Sequence, residues 1–414
     1  MSASETSVAG SPASGRGSLR RVLVALCVTE IVSYGVLFYA FTVLLPRITT
    51  ESGWSSTAIT AAFSAGSLTG GIAGIAGGRV LQRHGPRWVM TSGSTLGTVA
   101  VLCLAWSPSY AMFFAAWVLA GVASAGLFYA PAFAALTAWY GDRRVQAITT
   151  LTLAAGFSST IFAPLTDALA SQLTWRQTYL VLALVLGVIT LPLHVVVLNR
   201  AWPRLPHHAA THPDRHILTS RTFVLATTAG TLMAFASYAS LVSLVPLLTG
   251  RGMSSTLAAW ALGLGGAGQV AGRLLYPGMT RNLQARTRAI RVISAMAVAL
   301  AGLAVVPGPT LALILLAVLA GAARGLFTLV GATLVSDYWG PERYAAISGI
   351  YNAPILAASA LAPWLGAVIA DATGGLTGLF AVLVAVAGTA ALLAACVERS
   401  ENSVRLRGDA QLVE

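Results

Sequence analysis

Two arginines, one glutamate and a few hydroxyl-bearing side chains fall where an apolar sequence has little use for them. Arg273 follows the small-residue run Gly265 to Gly272, eight residues ahead of Arg281. At the rise of an α-helix that is about 12 Å into an apolar segment. Arg324 lies in Gly321-Ala322-Ala323-Arg324-Gly325, near the middle of another apolar run. Glu30 is the one acid deep in such a run, and i, i+4 spacing puts it on one helix face with Tyr34 and Phe38. A guanidinium can hold a carboxylate through two parallel hydrogen bonds and stays charged at any physiological pH. Arg273 and Arg324 are therefore candidate binding groups for an anion, with Tyr34, Tyr351 and Asn352 as candidate polar contacts. A buried carboxylate such as Glu30 can take up and release a proton as its surroundings open and close. Each has a structural alternative. Arg273 could snorkel to a polar boundary, Arg324 and Glu30 could form a fixed pair, and the tyrosines could simply pack.

The background that makes these residues stand out is oil. Hydrophobic residues make up 56% of the 414 positions and only 9% are charged. That composition implies an integral membrane protein, and apolar runs of about 20 residues recur as transmembrane helices require. The short alternating segments of a membrane β-barrel are missing. All 25 basic residues are arginine and the formal net charge is +12. The arginines sit in short loops between apolar runs, a topological pattern rather than a nucleic-acid surface. The absence of lysine, with the abundance of alanine, suggests a G+C-rich bacterial genome. Cys27, Cys103 and Cys396 fall singly in apolar runs and form no ligand pattern.

The chain repeats itself at an offset of 199 residues. Gly53, Ser55, Ser56 and Thr57 return as Gly252, Ser254, Ser255 and Thr256, and Gly66 and Arg87 as Gly265 and Arg286. Trp139-Tyr140-Gly141 and Arg144-x-x-Ala147-Ile148 align with Tyr338-Trp339-Gly340 and Arg343-x-x-Ala346-Ile347, and Ala163-Pro164 with Ala362-Pro363. One half-protein is used twice. The copies differ at Gly74, whose counterpart is Arg273.

The pattern predicts an all-α membrane protein of twelve transmembrane helices in two six-helix pseudo-repeats. The first six run over 21–46, 58–81, 87–106, 111–137, 145–170 and 177–198, and the second six over 222–249, 255–277, 287–306, 310–336, 344–370 and 376–397. Residues 1–20 read as a disordered cytoplasmic tail, 21–198 as the N-terminal bundle, 199–221 as a cytoplasmic linker, 222–397 as the C-terminal bundle and 398–414 as a second tail. The first apolar run is a full span, so no cleaved signal peptide is expected. Loops on the side of the termini hold 20 arginines and the opposite loops 3. Both termini are therefore expected in the cytoplasm of a bacterial cell, with the chain in its inner membrane.

Gly66, Gly70, Gly74 and Gly78 form a stripe on the second helix, and Gly263, Gly265, Gly266, Gly268 and Gly272 a looser set on the eighth. Such stripes let helices approach closely in lipid. They read as rigid packing, as a surface along which two halves rock, or as both.

Two six-helix halves, a basic central loop and Gly78-x-x-x-Gln82-Arg83-x-Gly85-x-Arg87 resemble the major facilitator superfamily. Gln82 stands where that family's loop carries Asp, and Pro86 precedes the last arginine. Within the superfamily the chain looks most like the monocarboxylate and oxalate–formate porters. Ser33-Tyr34-Gly35 with Phe41 is similar to their first helix, and Trp139-Tyr140-x-x-Arg143-Arg144-x-x-Ala147 to their element before the fifth. Arg273 is placed like their substrate-binding arginine, whereas Gln269 and Phe38 replace an acid and a lysine of those families. The resemblance implies secondary transport of a small organic anion, such as a monocarboxylate, by alternating access. It also implies that the first, fourth, seventh and tenth helices line a central cavity and that Gly78, Gln82, Arg83, Gly85 and Arg87 form a cytoplasmic gate element.

No nucleotide-binding loop, Ser/His/Asp set or metal cluster is found, so neither an enzyme nor a cofactor is expected. The alternative is proton-coupled export of an amphiphilic drug or metabolite, for which Gly156 and Ala163-Pro164 are a poor signature. The expected partners are the bilayer and a small-molecule substrate, with no nucleic acid, and a monomer suffices.

Overall fold

A computed structural model of the chain describes residues 12–203, 215–340 and 343–397. Among them the chain is helical, with no strand. Ten helical stretches are long and apolar enough to cross a membrane. One of these, Tyr110–Ala170, has 61 residues, about three times what a crossing needs, and turns back at Gly141–Arg143. The helix Ser255–Asn282 adds 28 residues and is less apolar, since it carries Gln269, Arg273 and Arg281. With the long stretch taken as two spans and this helix as one, twelve spans result.

In order they are span 1, Ser18–Ser52; span 2, Ser56–His84; span 3, Pro86–Ala105; and span 4, made of Tyr110–Leu127 and Tyr129–Tyr140. Span 5 is made of Arg144–Gly156 and Ser158–Ala170, and span 6 is Trp175–Val197. The second set is span 7, Arg221–Gly250; span 8, Ser255–Asn282; span 9, Ala285–Val305; span 10, Thr310–Trp339; span 11, Tyr344–Ala372; and span 12, Leu376–Cys396. The first helix reaches back to Pro12, so part of the segment expected to be a tail is helical. A short helix, Arg215–Leu218, lies in the expected linker. The rest of both tails and of the linker, with His207, His208 and His212, lies outside the described residues, as does Glu342.

The repeat is structural as well as textual. Gly53 (φ 73°) and Gly252 (φ 83°) take the left-handed backbone that ends each preceding helix. Ser55 and Ser254 then cap the next helix, accepting from Ala58 N at 3.1 Å and Leu257 N at 3.3 Å.

The glycine stripes divide between two jobs. Gly66 and Gly70 lie directly on the backbone of span 4 at Trp117 and Gly121, and Gly265, Gly268 and Gly272 on span 10 at Ala317, Val318 and Ala322. These are contacts within one half, where a side chain would push the helices apart. Gly263 and Gly266 instead face span 5 of the other half at Ser159 and Thr160. Gly74 and Gly78 border open space.

One face of the bundle holds the start of span 1, the 2–3 turn and the end of span 6 together. Tyr140 Oη donates to Leu19 O at 2.6 Å, Arg200 to Ser18 Oγ at 2.7 Å and Arg87 to Val195 O at 2.9 Å. The far face carries the Ser-capped starts of spans 2 and 8. There the halves are joined: Thr57 donates to Asp371, Thr256 to Asp167, Thr160 to Gly263 O and the Trp364 amide to Ser64 Oγ.

Candidate functional site

Three helix irregularities gather between the halves. Span 1 winds as a π-helix over Gly35–Tyr39, span 4 breaks at Phe128 and span 5 breaks at Phe157. Such interruptions re-aim side chains and are frequent at functional sites. Gly35 is required here, because the Phe162 ring of span 5 occupies the space a Cβ would take. Ser158, just past the span 5 break, donates to Ile31 O at 2.6 Å and ties that break to span 1.

The aromatic wall follows from these breaks. Tyr34 stacks on Phe128 with ring centroids 4.1 Å apart and meets Tyr129 at 5.0 Å. Phe38 makes edge contacts with Tyr39 at 5.3 Å, Phe63 at 5.4 Å and Tyr238 at 6.1 Å.

Arg273 and Arg324 are both buried, with 7% and 8% of their surface exposed. Arg273 donates from Nη1 to the Thr152 carbonyl across the half boundary and lies within electrostatic reach of Tyr129. Arg324 lies near Tyr39 and Tyr238, and Tyr238 is within electrostatic reach of both arginines. Among the described residues neither guanidinium has a carboxylate partner, and the Nε of each is buried without a hydrogen bond. Gln269 Oε1, one turn before Arg273, and Ser237 Oγ, beside Tyr238 in sequence, are buried and unbonded as well.

Glu30 is fully buried and neither carboxylate oxygen is hydrogen-bonded. Its electrostatic neighbours are Cys27, Tyr34 and Tyr129. The ion pair shown by the described residues is Arg288–Asp337, so Glu30 and Arg324 are not a strut. Asp337 of span 10 bonds Arg288 of span 9.

The structure thus brings Arg273, Arg324, Glu30 and Tyr34 into one region and adds Tyr39, Tyr129 and Tyr238. Tyr351 and Asn352 lie elsewhere. Tyr351 is 1% exposed in the core of the second half, over Gly230 and Ile355, where it lines a small cavity with Arg286 and Tyr338. Asn352 donates to Ser348 O of its own helix at 2.8 Å.

In the 78–87 element the work falls to backbone and to Arg87. Gly85 (φ 77°) packs on Trp202, whose Nε1 donates to Gln82 O at 3.1 Å. Arg87 also reaches Asn199 Oδ1 at 2.8 Å, while Gln82 and Arg83 have exposed side chains. Among the described residues no cluster of His, Cys, Asp and Glu is placed to hold a metal.

Comparison with known proteins agrees with this architecture. The chain is 22% identical over 298 residues to an MFS-type transporter of Gibberella moniliformis, covering 72% of each chain. It is 28% identical over 211 residues to an uncharacterized 38 kDa protein of Thermoproteus tenax, covering 51% of each. Among solved structures, the D-xylose-proton symporter superposes with a TM-score of 0.75 at 14% identity, covering 92% of this chain and 99% of that one. The nucleoside transporter NupG gives 0.72 at 14% over 91% and 98%. A bacterial homolog of the human lysosomal transporter Spinster gives 0.70 at 17% over 93% and 96%. Residues 26–313 match the family model of the Major Facilitator Superfamily, and the chain belongs to that family of multi-pass membrane transporters.

Proposed function

We propose that this transporter carries a small organic anion, of the monocarboxylate type, by alternating access. The observation that supports it most is the pair of buried guanidinium groups, Arg273 and Arg324, around Tyr238 with no protein carboxylate on either. Unpaired buried charge is costly, and a substrate carboxylate would complete it. Two of the three solved relatives named above are called after D-xylose and a nucleoside, both uncharged; the arginine pair is what turns the reading here toward an anion.

Both arginines come from the second half, whereas Glu30, Tyr34 and Tyr129 come from the first. A substrate held between them touches both moving bodies, as a midplane site in a rocking carrier must. Glu30 is assigned the coupling role, since an ionisable group in a span with no fixed partner is suited to exchange a proton when water reaches it. The arginine bias of 20 to 3 supports a cytoplasmic position for the face with the termini. The joined far face is then external, and this conformation faces inward. The 78–87 element, with Gly78, Gln82, Arg83, Gly85 and Arg87, would be the inner gate.

The second reading is export of an amphiphilic compound, and the wall of Tyr34, Phe38, Phe128, Tyr129 and Tyr238 supports it. Counterflow of a labelled carboxylate panel in proteoliposomes separates the two. Uptake of one carboxylate that is lost in Arg273→Ala and in Arg324→Ala supports the anion carrier. Failure of every carboxylate, or undiminished uptake by both variants, overturns it.

A further inference from the structure

The motif Gly-x-Ser-Ser-Thr at 53–57 and 252–256 has no part in the central site, yet both copies end on the same chemistry. Thr57 Oγ1 donates to Asp371 Oδ2 at 2.5 Å, joining span 2 to span 11 across the half boundary. Thr256 Oγ1 donates to Asp167 Oδ2 at 2.9 Å, joining span 8 to span 5. We propose that these two hydrogen bonds form a two-fold latch that closes the far face and must open in each transport cycle.

The local sequence aims both threonines. In each copy the left-handed glycine ends one helix, the serine caps the next, and the threonine falls in that helix's first turn. There its hydroxyl leans out from the helix start toward the opposite half. A neutral hydroxyl on a carboxylate is a charge-assisted bond with a modest net contribution, so a carrier can break and remake it. The other face contrasts with this. Its hydrogen bonds from Arg87, Trp139, Tyr140, Arg200, Trp202 and Arg286 all stay within one half.

The two latches differ in their surroundings. Asp167 is 3% exposed, while Asp371 is exposed and borders a cavity of about 400 Å³ lined also by Ser56, Thr60 and Ser243. Water competes for the second pair and not for the first, so the Thr256 latch is the stronger. The proposal does not depend on what the central site carries.

The test is a pair of spin-label distances in a background with Cys27, Cys103 and Cys396 replaced by alanine. Labels at Gln172 and Thr310 report the far face, and labels at Arg83 and Arg281 the opposite one. In Thr57→Val/Thr256→Val the far-face distance should lengthen and the opposite one shorten, with the far-open to far-closed ratio rising about tenfold or more. Thr256→Val alone should shift it further than Thr57→Val alone, and these single variants serve should the double one not fold. Asp167→Asn and Asp371→Asn keep an acceptor oxygen without its charge and should open the far face less than the valine variants do. An unchanged far-face distance in folded threonine variants overturns the latch, and so does opening by the asparagine variants equal to that of the valine ones.

Discussion

Arg273 and Thr152 belong to opposite halves of the molecule, and the guanidinium of one bonds the backbone carbonyl of the other. Thr152 lies in the last turn before span 5 breaks at Phe157, where a helix end presents partial negative charge. The arginine therefore rests on a weak acceptor that a true carboxylate would outcompete. Under the anion-carrier reading, binding would transfer Arg273 from the opposite half onto the substrate and loosen one of the bonds that join the halves.

Arg273→Lys separates charge from geometry. Lysine keeps the positive charge but loses the planar fork. Under the anion-carrier reading the apparent KM should rise about tenfold with a smaller fall in maximal rate, while Arg273→Ala loses at least about a hundredfold in kcat/KM. Initial-rate uptake in proteoliposomes measures both.

Tyr238 stands within electrostatic reach of both arginines, so under the anion-carrier reading its hydroxyl is a candidate contact for the substrate. Tyr238→Phe keeps the ring against Phe38 and removes that hydroxyl. Under the anion-carrier reading, loss of one hydrogen bond to a bound carboxylate is expected to weaken binding about tenfold and leave stability unchanged. Substrate-dependent thermal shift, compared with the shift without substrate, distinguishes this from a packing role.

Much of this arrangement was legible in the sequence, and the reason is locality. The capped turns at Ser55 and Ser254 depend on neighbours a few residues away, and ionisable groups in apolar runs declare themselves, as Arg273, Arg324 and Glu30 do. What escaped depends on how each helix is rotated in the bundle. The sequence offers Tyr351 as a polar contact and does not single out Tyr129 or Tyr238, yet packing sends Tyr351 into the core of its own half. The break at Phe128 carries one readable signal. Pro131 falls in the first turn of Tyr129–Tyr140, where a missing amide hydrogen costs a helix least. Glu30 and Arg324 carry opposite charges yet form no ion pair among the described residues, which sequence alone does not show.

The glycine stripe gives an internal contrast. A Cβ at Gly121 would meet the backbone of Gly66, and one at Gly321 the backbone of Gly265. Gly121→Val and Gly321→Val should cost several kcal/mol through forced separation of paired helices, enough to abolish folded yield. Gly74→Ala meets nothing and should stabilise span 2 by about 0.5–1 kcal/mol, the usual gain for alanine over glycine in a helix. Thermal denaturation followed by size-exclusion recovery reads both. Equal tolerance at Gly74 and Gly121 would contradict the packing described here.

The 2–3 turn makes the last test, because its charge differs from the pattern it resembles. Gln82 offers its carbonyl to Trp202, and its side chain is exposed, so Gln82→Asp should leave stability within about 0.5 kcal/mol of the parent. Arg87 is different: it spans from the start of span 3 to Val195 O and Asn199 Oδ1 at the end of span 6. Arg87→Ala removes both bonds and frees two acceptors at a partly exposed site, for an expected cost of about 1–3 kcal/mol. The loss should appear as faster hydrogen exchange in 82–88 and 195–202, with the far face unaffected. Exchange that rises only in the far-face turns would show that Arg87 acts on the whole bundle rather than on its own half.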